Sequence, residues 1–404
     1  MARAWFHNGG CEIASSRPVT VLVAPDSFKG SASATDAAVA IGKGVQDVMP
    51  DVQVILHPVS DGGEGLVDVL VPALGGRFVI TDVCGPLPGS VVHARWGLSS
   101  DGSMAVMEMA QAAGLGLVPE NRRDPKVTTT FGVGELIRAA LDRGARFILL
   151  GIGGSATNDG GAGMAQALGV RLLDRAGREL APGGAALQNL DAIDLSGLDP
   201  RLHAAHITVA CDVRNPLTGP TGASAVYGPQ KGATPADIGV LDRALAHYRD
   251  RILNVCGIDV QAIPGSGAAG GLGAALVAFC GARLQSGIDV VLESTGFDRL
   301  LAEADLVITG EGRMDEQTLY GKALAGVLQH AGRQRVPVAA IVGSLGAPRE
   351  TLIGPEAFCA VEVLVSGTVT TADAMGNAPE HLRRAASHLV RFLSHRGMFP
   401  QTED

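Results

Sequence analysis

The sequence predicts an α/β fold with two domains: a wound parallel-sheet (Rossmann-like) domain built from both chain ends, and an inserted mixed α/β domain. Three observations favour this fold. Apolar runs typical of buried strands alternate with helical patterns at both ends of the chain, an order that produces parallel sheets. Hydrophobic residues make up 46% of the chain and aromatic residues only 4%, which indicates an interior of small aliphatic side chains. The length of 404 residues exceeds what one hydrophobic core usually supports.

The N-terminal part of the chain shows the alternation most clearly. It is predicted to start with a flexible extension of residues 1–18, which contains no long apolar run and is therefore not a signal peptide. A buried strand at residues 19–24 follows, and Ser33 then caps the first helix. A second strand at residues 52–58 leads into a helix that ends near residue 74. This β-α-β-α order predicts a parallel sheet.

The pattern changes in the middle of the chain. Three apolar segments lie close together and are joined by turns rich in Gly, Pro and Ser, as in an antiparallel meander; they are residues 78–83, 91–96 and 104–109. From Asp305 the alternation of strands and helices returns. We therefore expect a discontinuous Rossmann-like domain of residues 19–86 and 286–404, and an inserted domain of residues 87–285.

A glycine-rich loop follows the buried strand at residues 147–150 and leads into a helix. Glycine lets a ligand approach the main chain closely, and the start of a helix offers unpaired N–H groups to an anion. A tight turn of an α/β fold would contain similar glycines, but it would not need the polar side chains between them. We expect a nucleotide-binding loop formed by Gly153, Gly154, Ser155, Thr157 and Asn158.

Acidic residues follow several of the predicted strands. Because the carboxyl ends of parallel strands share one edge of the sheet, these acids are expected to line a common crevice, where carboxylates are good ligands for Mg²⁺. The acids are Asp26, Asp61 with Glu64, Asp159, Asp212, and Glu311 with Asp315. Taken singly, Asp26 or Asp159 has the alternative role of a helix N-cap.

Lysine is scarce, since only five of the 32 basic residues are lysine. Lys29 and Lys231 lie next to glycine in loops, where a compact ammonium group can reach phosphoryl oxygens. Lys43 lies in a predicted helix and is expected to face solvent. Glycine-flanked acids together with these lysines predict phosphate chemistry.

Six segments carry most of these residues, namely residues 24–30, 58–65, 151–161, 211–217, 227–233 and 308–315. Their sequences and their order resemble the bacterial type-1 glycerate kinase family (D-glycerate 2-kinases). The resemblance runs from about residue 20 to about residue 390, so residues 1–18 lie outside it. It implies ATP-dependent phosphorylation of D-glycerate, usually to 2-phosphoglycerate, on a two-domain α/β fold.

Our working hypothesis assigns a role to each polar residue in a reaction that uses ATP and Mg²⁺. The expected catalytic residues are Asp26, Lys29, Asp159 and Lys231, and either acid accepts the proton of the glycerate hydroxyl. The expected substrate-binding residues are Ser60, Arg214 and Arg313. The two arginines suit the carboxylate of glycerate, because a guanidinium group binds a carboxylate through two hydrogen bonds. The alternative for Arg313 is a surface charge. The expected metal ligands are Asp61, Asp212 and Glu311.

Two other classes of function stay open at this point. The pattern Gly151-x-Gly153-x-x-Ala156 fits a dinucleotide fingerprint, and Asp174 lies near the spacing at which an acid binds the ribose of NAD. An NAD-dependent hydroxy-acid dehydrogenase would use this pattern. A non-catalytic metabolite sensor would use the same crevice without turnover.

Bulk properties indicate the expected partners and compartment. The net charge of −9 argues against a nucleic-acid or anionic-membrane surface, and no apolar run reaches the length of a membrane helix. The six cysteines form no C-x-x-C pair, as in a protein with reduced thiols. We expect a cytoplasmic protein whose partners are a nucleotide and a small substrate, with the oligomeric state left open.

Overall fold

A computed structural model describes residues 18–314, 323–346, 348, 352–354, 357–365 and 371–399. Within it the chain forms two compact units. Unit 1 consists of the chain up to Asp61 and from Ile288 onward, and unit 2 consists of Gly62–Gly287. The predicted extension, residues 1–18, lies outside the described residues except for Pro18, and the acid Asp315 also lies outside them.

The predicted domain boundaries, 86/87 and 285/286, differ from the limits of these units. The helix Leu66–Ala73 contacts the meander, and the strand Arg77–Cys84 is the first strand of the meander, so both belong to unit 2. The division into functional domains stays a prediction.

The strands are β1 (Thr20–Pro25), β2 (Gln53–Leu56), β3 (Arg77–Cys84), β4 (Val91–Leu98), β5 (Met104–Glu108), β6 (Phe147–Gly151), β7 (Arg171–Leu173), β8 (Ala192–Asp194), β9 (His206–Ala210), β10 (Arg283–Gln285), β11 (Leu306–Met314), β12 (Val338–Leu345) and β13 (Ala360–Val363). The helices are α1 (Ala34–Gln46), α2 (Leu66–Ala73), α3 (Ala110–Ala113), α4 (Phe131–Asp142), α5 (Ala162–Ala167), α6 (Ala223–Tyr227), α7 (Pro235–Cys256), α8 (Ala268–Cys280), α9 (Gly287–Ser294), α10 (Phe297–Leu301), α11 (Ala323–Gln334), α12 (Thr371–Gly376) and α13 (Ala378–His395).

Unit 1 contains a parallel sheet with the strand order β13-β12-β11-β1-β2. Counted from the β2 edge, the order along the chain is 2-1-3-4-5, that of flavodoxin-like wound sheets. The order reverses between β1 and β11, whose carboxyl ends are adjacent because Pro25 pairs with Gly310. All six residues of β1 are buried, which explains the uninterrupted apolar pattern of this segment. The predicted wound sheet from both chain ends is confirmed.

The helices of unit 1 are placed by local signals and close packing. Ser33 Oγ accepts a hydrogen bond from Asp36 N at 3.1 Å, so the predicted cap of α1 is present. Helix α1 then packs closely on α13, since a Cβ added at Gly44 would lie 2.1 Å from the carbonyl oxygen of Arg383. Ser387 Oγ donates a hydrogen bond to Gly44 O at 2.9 Å across this contact.

Unit 2 contains a mixed sheet with the strand order β10-β9-β6-β5-β4-β3. Strands β10, β9, β6 and β5 are parallel, whereas β5, β4 and β3 are antiparallel, as the close-set segments predicted. Its core is mostly aliphatic, with Trp96 fully buried in β4. The predicted α/β fold class is confirmed, with an all-parallel sheet in unit 1 and a mixed sheet in unit 2.

The start of α8 departs from helical backbone geometry. Ala269, Gly270 and Gly271 all have left-handed backbone, with φ values of 53°, 69° and 92°. The backbone here lies against the glycine-rich loop, because Gly160 N donates to Gly270 O at 2.9 Å and a Cβ at residue 270 would lie 2.0 Å from Thr157 O. Only glycine at position 270 permits this approach.

Candidate active site

A cavity of about 380 Å³ lies in unit 1 at the carboxyl edge of the parallel sheet. Its charged lining residues all come from loops or strand ends at this edge, where ligands bind in wound sheets. Asp26 and Lys29 follow β1, Asp61 follows β2, and Glu311 and Arg313 belong to the end of β11. The structure therefore brings together five of the predicted site residues.

Asp26 is held firmly in this cavity. Its backbone N donates to Gly310 O at 2.8 Å, and its Oδ1 accepts a hydrogen bond from Ser27 N at 2.6 Å. Burial, then the neighbouring charge of Asp61, raises the pKa of Asp26 to about 7, against the opposing effects of Ser27 N–H and Lys29. A carboxyl group with such a pKa exchanges protons readily at neutral pH.

A tight turn carries Lys29 to the same place. Phe28 N donates to Ala32 O at 2.9 Å, and Ala32 N donates to Phe28 O at 3.0 Å. Phe28 is buried and anchors the turn, whereas the Lys29 side chain is exposed at its tip. Gly30 has a φ of 77°, which closes the turn. The ammonium group therefore extends from a fixed backbone beside the acids.

The other end of the cavity is mainly apolar. It is lined by Gly343 and Ser344 at the end of β12, by Leu364 and Val365 after β13, and by Ala374 and Met375 in α12. Sequence reasoning did not single out these residues, because isolated aliphatic side chains in short segments carry no recognisable motif.

The acids suit a divalent cation that is shared with a substrate. No group of three or more His, Cys, Asp or Glu residues in the described part of the chain is arranged to hold a metal ion. Asp61 and Glu311 nevertheless both lie close enough to raise the pKa of Asp26. Mg²⁺ is typically held by one or two carboxylates, with phosphate oxygens and water completing its shell. Asp61 and Glu311 fit that arrangement.

In unit 2, the glycine-rich loop buries most of its polar side chains. Gly153 and Gly154 are exposed, whereas Ser155, Thr157 and Asn158 are buried. Asn158 Nδ2 donates to Ser224 Oγ at 2.9 Å in the interior. Of the five residues expected to bind the nucleotide, only the two glycines offer an exposed surface in this structure.

Asp159 lies inside unit 2 with no exposed surface. Its oxygens accept hydrogen bonds from Thr130 N (2.8 Å), Thr130 Oγ1 (2.9 Å), Gly161 N (3.1 Å) and Gly163 N (3.2 Å). Burial raises the pKa of Asp159, although these hydrogen bonds oppose the shift. The carboxylate thus joins the start of α4 to the start of α5.

Lys231 is also in the interior, with 1% of its surface exposed. Its Nζ donates to Thr157 O at 2.7 Å. Burial lowers the pKa of Lys231 to about 7, and only the nearby charge of Asp159 opposes this. The structure places Lys231 behind the glycine-rich loop, where it contacts the loop backbone.

Other predicted residues lie at the carboxyl edge of the unit 2 sheet. Asp212 and Arg214 follow β9 and are exposed, and β9 pairs with β6 so that Gly151 faces Ala210. Asp212 Oδ1 accepts a hydrogen bond from Gly287 N at 2.9 Å. These two side chains therefore share a sheet edge with Gly153 and Gly154. Ser60, in unit 1, is buried.

Glu108 is a buried acid of unit 2 that sequence reasoning missed. It is the last residue of β5 and is 6% exposed, and its Oε1 accepts hydrogen bonds from Gly65 N (3.1 Å) and Val67 N (3.0 Å). The carboxylate thereby caps the start of α2, after the loop that carries the Asp-Gly-Gly-Glu-Gly segment. The sequence signal that could have indicated this role is a single charged residue at the end of an apolar strand.

Asp174 has a local role that accounts for its position. Its Oδ1 accepts from Ala176 N (2.8 Å) and Arg178 N (3.0 Å), and its Oδ2 accepts from the Arg178 guanidinium. Asp174 therefore closes a turn, and this role explains its position after the glycine-rich loop without a bound nucleotide.

The chain was compared with known proteins. The model of the glycerate kinase family matches residues 21–394. The glycerate kinase of Bacillus subtilis (strain 168) is 50% identical over 370 residues, which are 92% of this chain and 96% of that protein. The glycerate 2-kinase of Escherichia coli (strain K12) is 47% identical over 374 residues, 93% of this chain and 98% of that protein. The crystal structure of a Salmonella typhimurium LT2 protein provisionally named glycerate kinase 2 has a TM-score of 0.85 and 50% identity, and covers 94% of this chain and 99% of its own.

The fold and the cavity define an α/β enzyme with a small-molecule site at the carboxyl edge of a wound parallel sheet. The chain belongs to the glycerate kinase family. It is therefore a kinase, with ATP as a substrate, and the resemblance drawn from its motifs is confirmed. The kinase interpretation is favoured over the dehydrogenase and the sensor. In the described residues, no helix combines the length and the apolar character needed to cross a membrane.

Proposed function

We propose that this chain transfers the γ-phosphoryl group of ATP to D-glycerate and releases ADP and 2-phosphoglycerate. The observation that carries the proposal is the cavity of unit 1, in which acids, a lysine and an arginine meet at the reversal point of the sheet. Family membership supports the reaction type, and a glycerate 2-kinase among the relatives supports the position of phosphorylation.

Asp26 is the proposed proton acceptor. The glycerate hydroxyl oxygen bonds to the γ-phosphorus while the bond from that phosphorus to the ADP oxygen breaks, and the hydroxyl proton passes to Asp26. Its fixed backbone and its position among charged lining residues support this role. Base strength is a modest contribution in a loose phosphoryl-transfer transition state, so correct placement of the hydroxyl matters more.

Lys29 is proposed to neutralise the transferring phosphoryl group, and Arg313 to bind the glycerate carboxylate. Both are exposed residues of the cavity lining, within reach of an anionic ligand. We propose Asp61 and Glu311 as the residues that hold Mg²⁺. When bound, the ion neutralises phosphate charge and orients the triphosphate.

For unit 2 we propose a supporting role. Asp159 and Lys231 shape the glycine-rich loop from behind, because both are buried and bonded to its neighbours or its backbone. The exposed main chain at Gly153 and Gly154 and the exposed guanidinium of Arg214 are groups of unit 2 that a phosphate or carboxylate can contact, and Asp212 remains a proposed metal ligand. Ser60 remains a proposed substrate-binding residue, and the cytoplasmic location remains a prediction.

ADP release with D-glycerate, compared with L-glycerate, tests the reaction, and NMR of the product identifies the phosphorylated oxygen. The Lys29→Ala variant should lose turnover at least about a hundredfold. Lys43→Ala, which removes an exposed lysine of α1, is the matched control and should keep full turnover. Normal turnover in Lys29→Ala, or phosphate found on the 3-hydroxyl, would contradict the proposal.

A further inference from the structure

We infer that the apolar end of the unit 1 cavity, formed by Leu364, Val365, Ala374 and Met375, holds the nucleoside of ATP, with the phosphates extending toward Asp61 and Glu311. The inference rests on the proposed kinase reaction and assigns one substrate to one part of its site. It places the nucleotide on unit 1 rather than on the glycine-rich loop of unit 2.

The sheet arranges the cavity lining in order along its edge. The charged residues lie at the ends of β2, β1 and β11, whereas the apolar ones follow β13 and belong to α12. Strand β13 lies two strands away from β11, which is a distance of about 10 Å. The charged and the apolar lining residues therefore come from different positions along this edge, and a ligand with one charged part and one apolar part suits that division.

Glycerate and ATP differ in how much apolar surface they can place against the cavity lining. Glycerate has three carbons, each bonded to oxygen, so it has no apolar surface that would be buried against apolar side chains. A nucleoside triphosphate has a flat, largely apolar base at one end and its charges at the other. A volume of about 380 Å³ is in the range of pockets for ligands of drug size, which also favours the larger substrate.

The side chains at the apolar end suit a flat ring. Leu364 and Ala374 are 7% and 6% exposed, so they form a firm floor, whereas Met375 is 45% exposed and can adapt to a ligand surface. Ser344 provides a hydroxyl group in the same lining. Met375 also connects the two ends, because its Cε lies 3.2 Å from where a Cβ on Gly30 would be, next to Lys29.

The glycine-rich loop of unit 2 is the rival site for the nucleotide. Its polar side chains at Thr157, Asn158 and Asp159 have no exposed surface, and exposed main chain at Gly153 and Gly154 recognises anions rather than a base. The sequence pattern favoured this loop. The distribution of apolar surface favours unit 1.

Equilibrium binding of ADP, measured by calorimetry without glycerate, tests the inference with the Met375→Glu variant. The control is Phe392→Glu, because Phe392 on α13 is 44% exposed, matches Met375 in exposure and is not in the cavity lining. Loss of the apolar contact and the added negative charge should weaken ADP binding at least about tenfold in Met375→Glu and leave it unchanged in Phe392→Glu. Binding of adenosine should weaken as well.

A second readout separates the two substrates. At saturating ATP, the KM for D-glycerate should change less than about twofold in Met375→Glu, since glycerate occupies the charged end. Unchanged ADP affinity, or a change confined to the KM for D-glycerate, would overturn the inference. ADP and adenosine binding are measured without turnover, so this test does not depend on the proposed reaction. If the reaction proposal alone is wrong, Met375→Glu should still weaken ADP binding, although the protein does not phosphorylate glycerate.

Discussion

The Nζ atom of Lys231 lies 2.7 Å from the carbonyl oxygen of Thr157. A lysine with 1% exposure is rare, and burial lowers its pKa to about 7, far below the ordinary value of 10.5. Between these two values the unfolded chain binds a proton that the folded chain does not. The free energy of unfolding should therefore rise with pH across this window on account of Lys231.

The first prediction concerns Lys231→Met, which retains the length of the side chain and removes its charge. Compared with this variant, the wild type should gain about 3 kcal/mol in free energy of unfolding between pH 7 and pH 9.5. The free energy of unfolding is measured by denaturant titration, followed by the fluorescence of Trp96, which is buried in unit 2. Trp5, the other tryptophan of the chain, is replaced in both proteins by the Trp5→Phe substitution. Parallel stability curves for the two proteins would show that Lys231 does not titrate in this range.

The second prediction concerns Asp26. Its pKa in the folded chain is raised to about 7, so the folded state keeps a proton that the unfolded state releases, and stability falls as pH rises from about 4 to about 7. In metal-free buffer at pH 8, Asp26→Asn should be more stable than the wild type by about 4 kcal/mol. At pH 4 the two proteins should have similar stability.

The same Asp26→Asn variant should lose turnover at least about a hundredfold, because it can neither accept the hydroxyl proton nor offer a carboxylate that orients the hydroxyl. Stability and activity are thus expected to change in opposite directions. A variant that is less stable than the wild type at pH 8, or that keeps normal turnover, would argue against the environment assigned to Asp26.

The third prediction concerns the metal. EDTA should abolish turnover and added Mg²⁺ should restore it. Glu311→Gln should raise the Mg²⁺ concentration for half-maximal turnover at least about tenfold, because it removes a negative ligand. Glu303→Gln, which changes an exposed acid of the same unit outside the cavity lining, is the matched control. An equal Mg²⁺ requirement in both variants would exclude Glu311 as a ligand.

The fourth prediction compares two glycines with the same φ of 69°, Gly270 and Gly257. A Cβ at residue 270 would lie 2.0 Å from Thr157 O, whereas a Cβ at residue 257 meets nothing within 4 Å. Gly257→Ala should therefore cost about 1 kcal/mol in free energy of unfolding, from backbone conformation alone. Gly270→Ala should cost at least about 3 kcal/mol, because it displaces the glycine-rich loop as well. Equal costs would show that the loop does not depend on this close approach.

Most of the unit 1 sheet could be predicted from local patterns. Segments such as β1 are fully buried, so their apolar runs are unbroken, and the loops after them carry glycine and acid. The same reasoning placed Asp26, Asp61 and Glu311 at one edge, since parallel strands point their carboxyl ends the same way. It also expected Asp159 and Asp212 in that crevice, but both belong to unit 2. The resemblance to glycerate kinases then followed from the motifs and was confirmed by the family match.

Burial of polar side chains could not be predicted in this way. Ser155, Thr157, Asn158, Asp159 and Lys231 have the composition of a ligand loop, yet their environment is set by α4, α6 and the left-handed start of α8, which are distant in the sequence. The apolar end of the cavity was missed for the same reason, because Leu364 and Met375 become neighbours of Lys29 only when both chain ends join one sheet.

By itself, the sequence determined the alternation of strands and helices, the acids that follow the strands, and membership of the glycerate kinase family, because these depend on residue type and short spacing. Only the tertiary structure decided which polar groups face a ligand and which support the backbone. The role of a side chain depends on what packs against it from elsewhere in the chain. Asp26 and Asp159 are both buried acids in glycine-containing loops after strands, but Asp26 lines a cavity, whereas Asp159 accepts hydrogen bonds from the backbone of Thr130, Gly161 and Gly163.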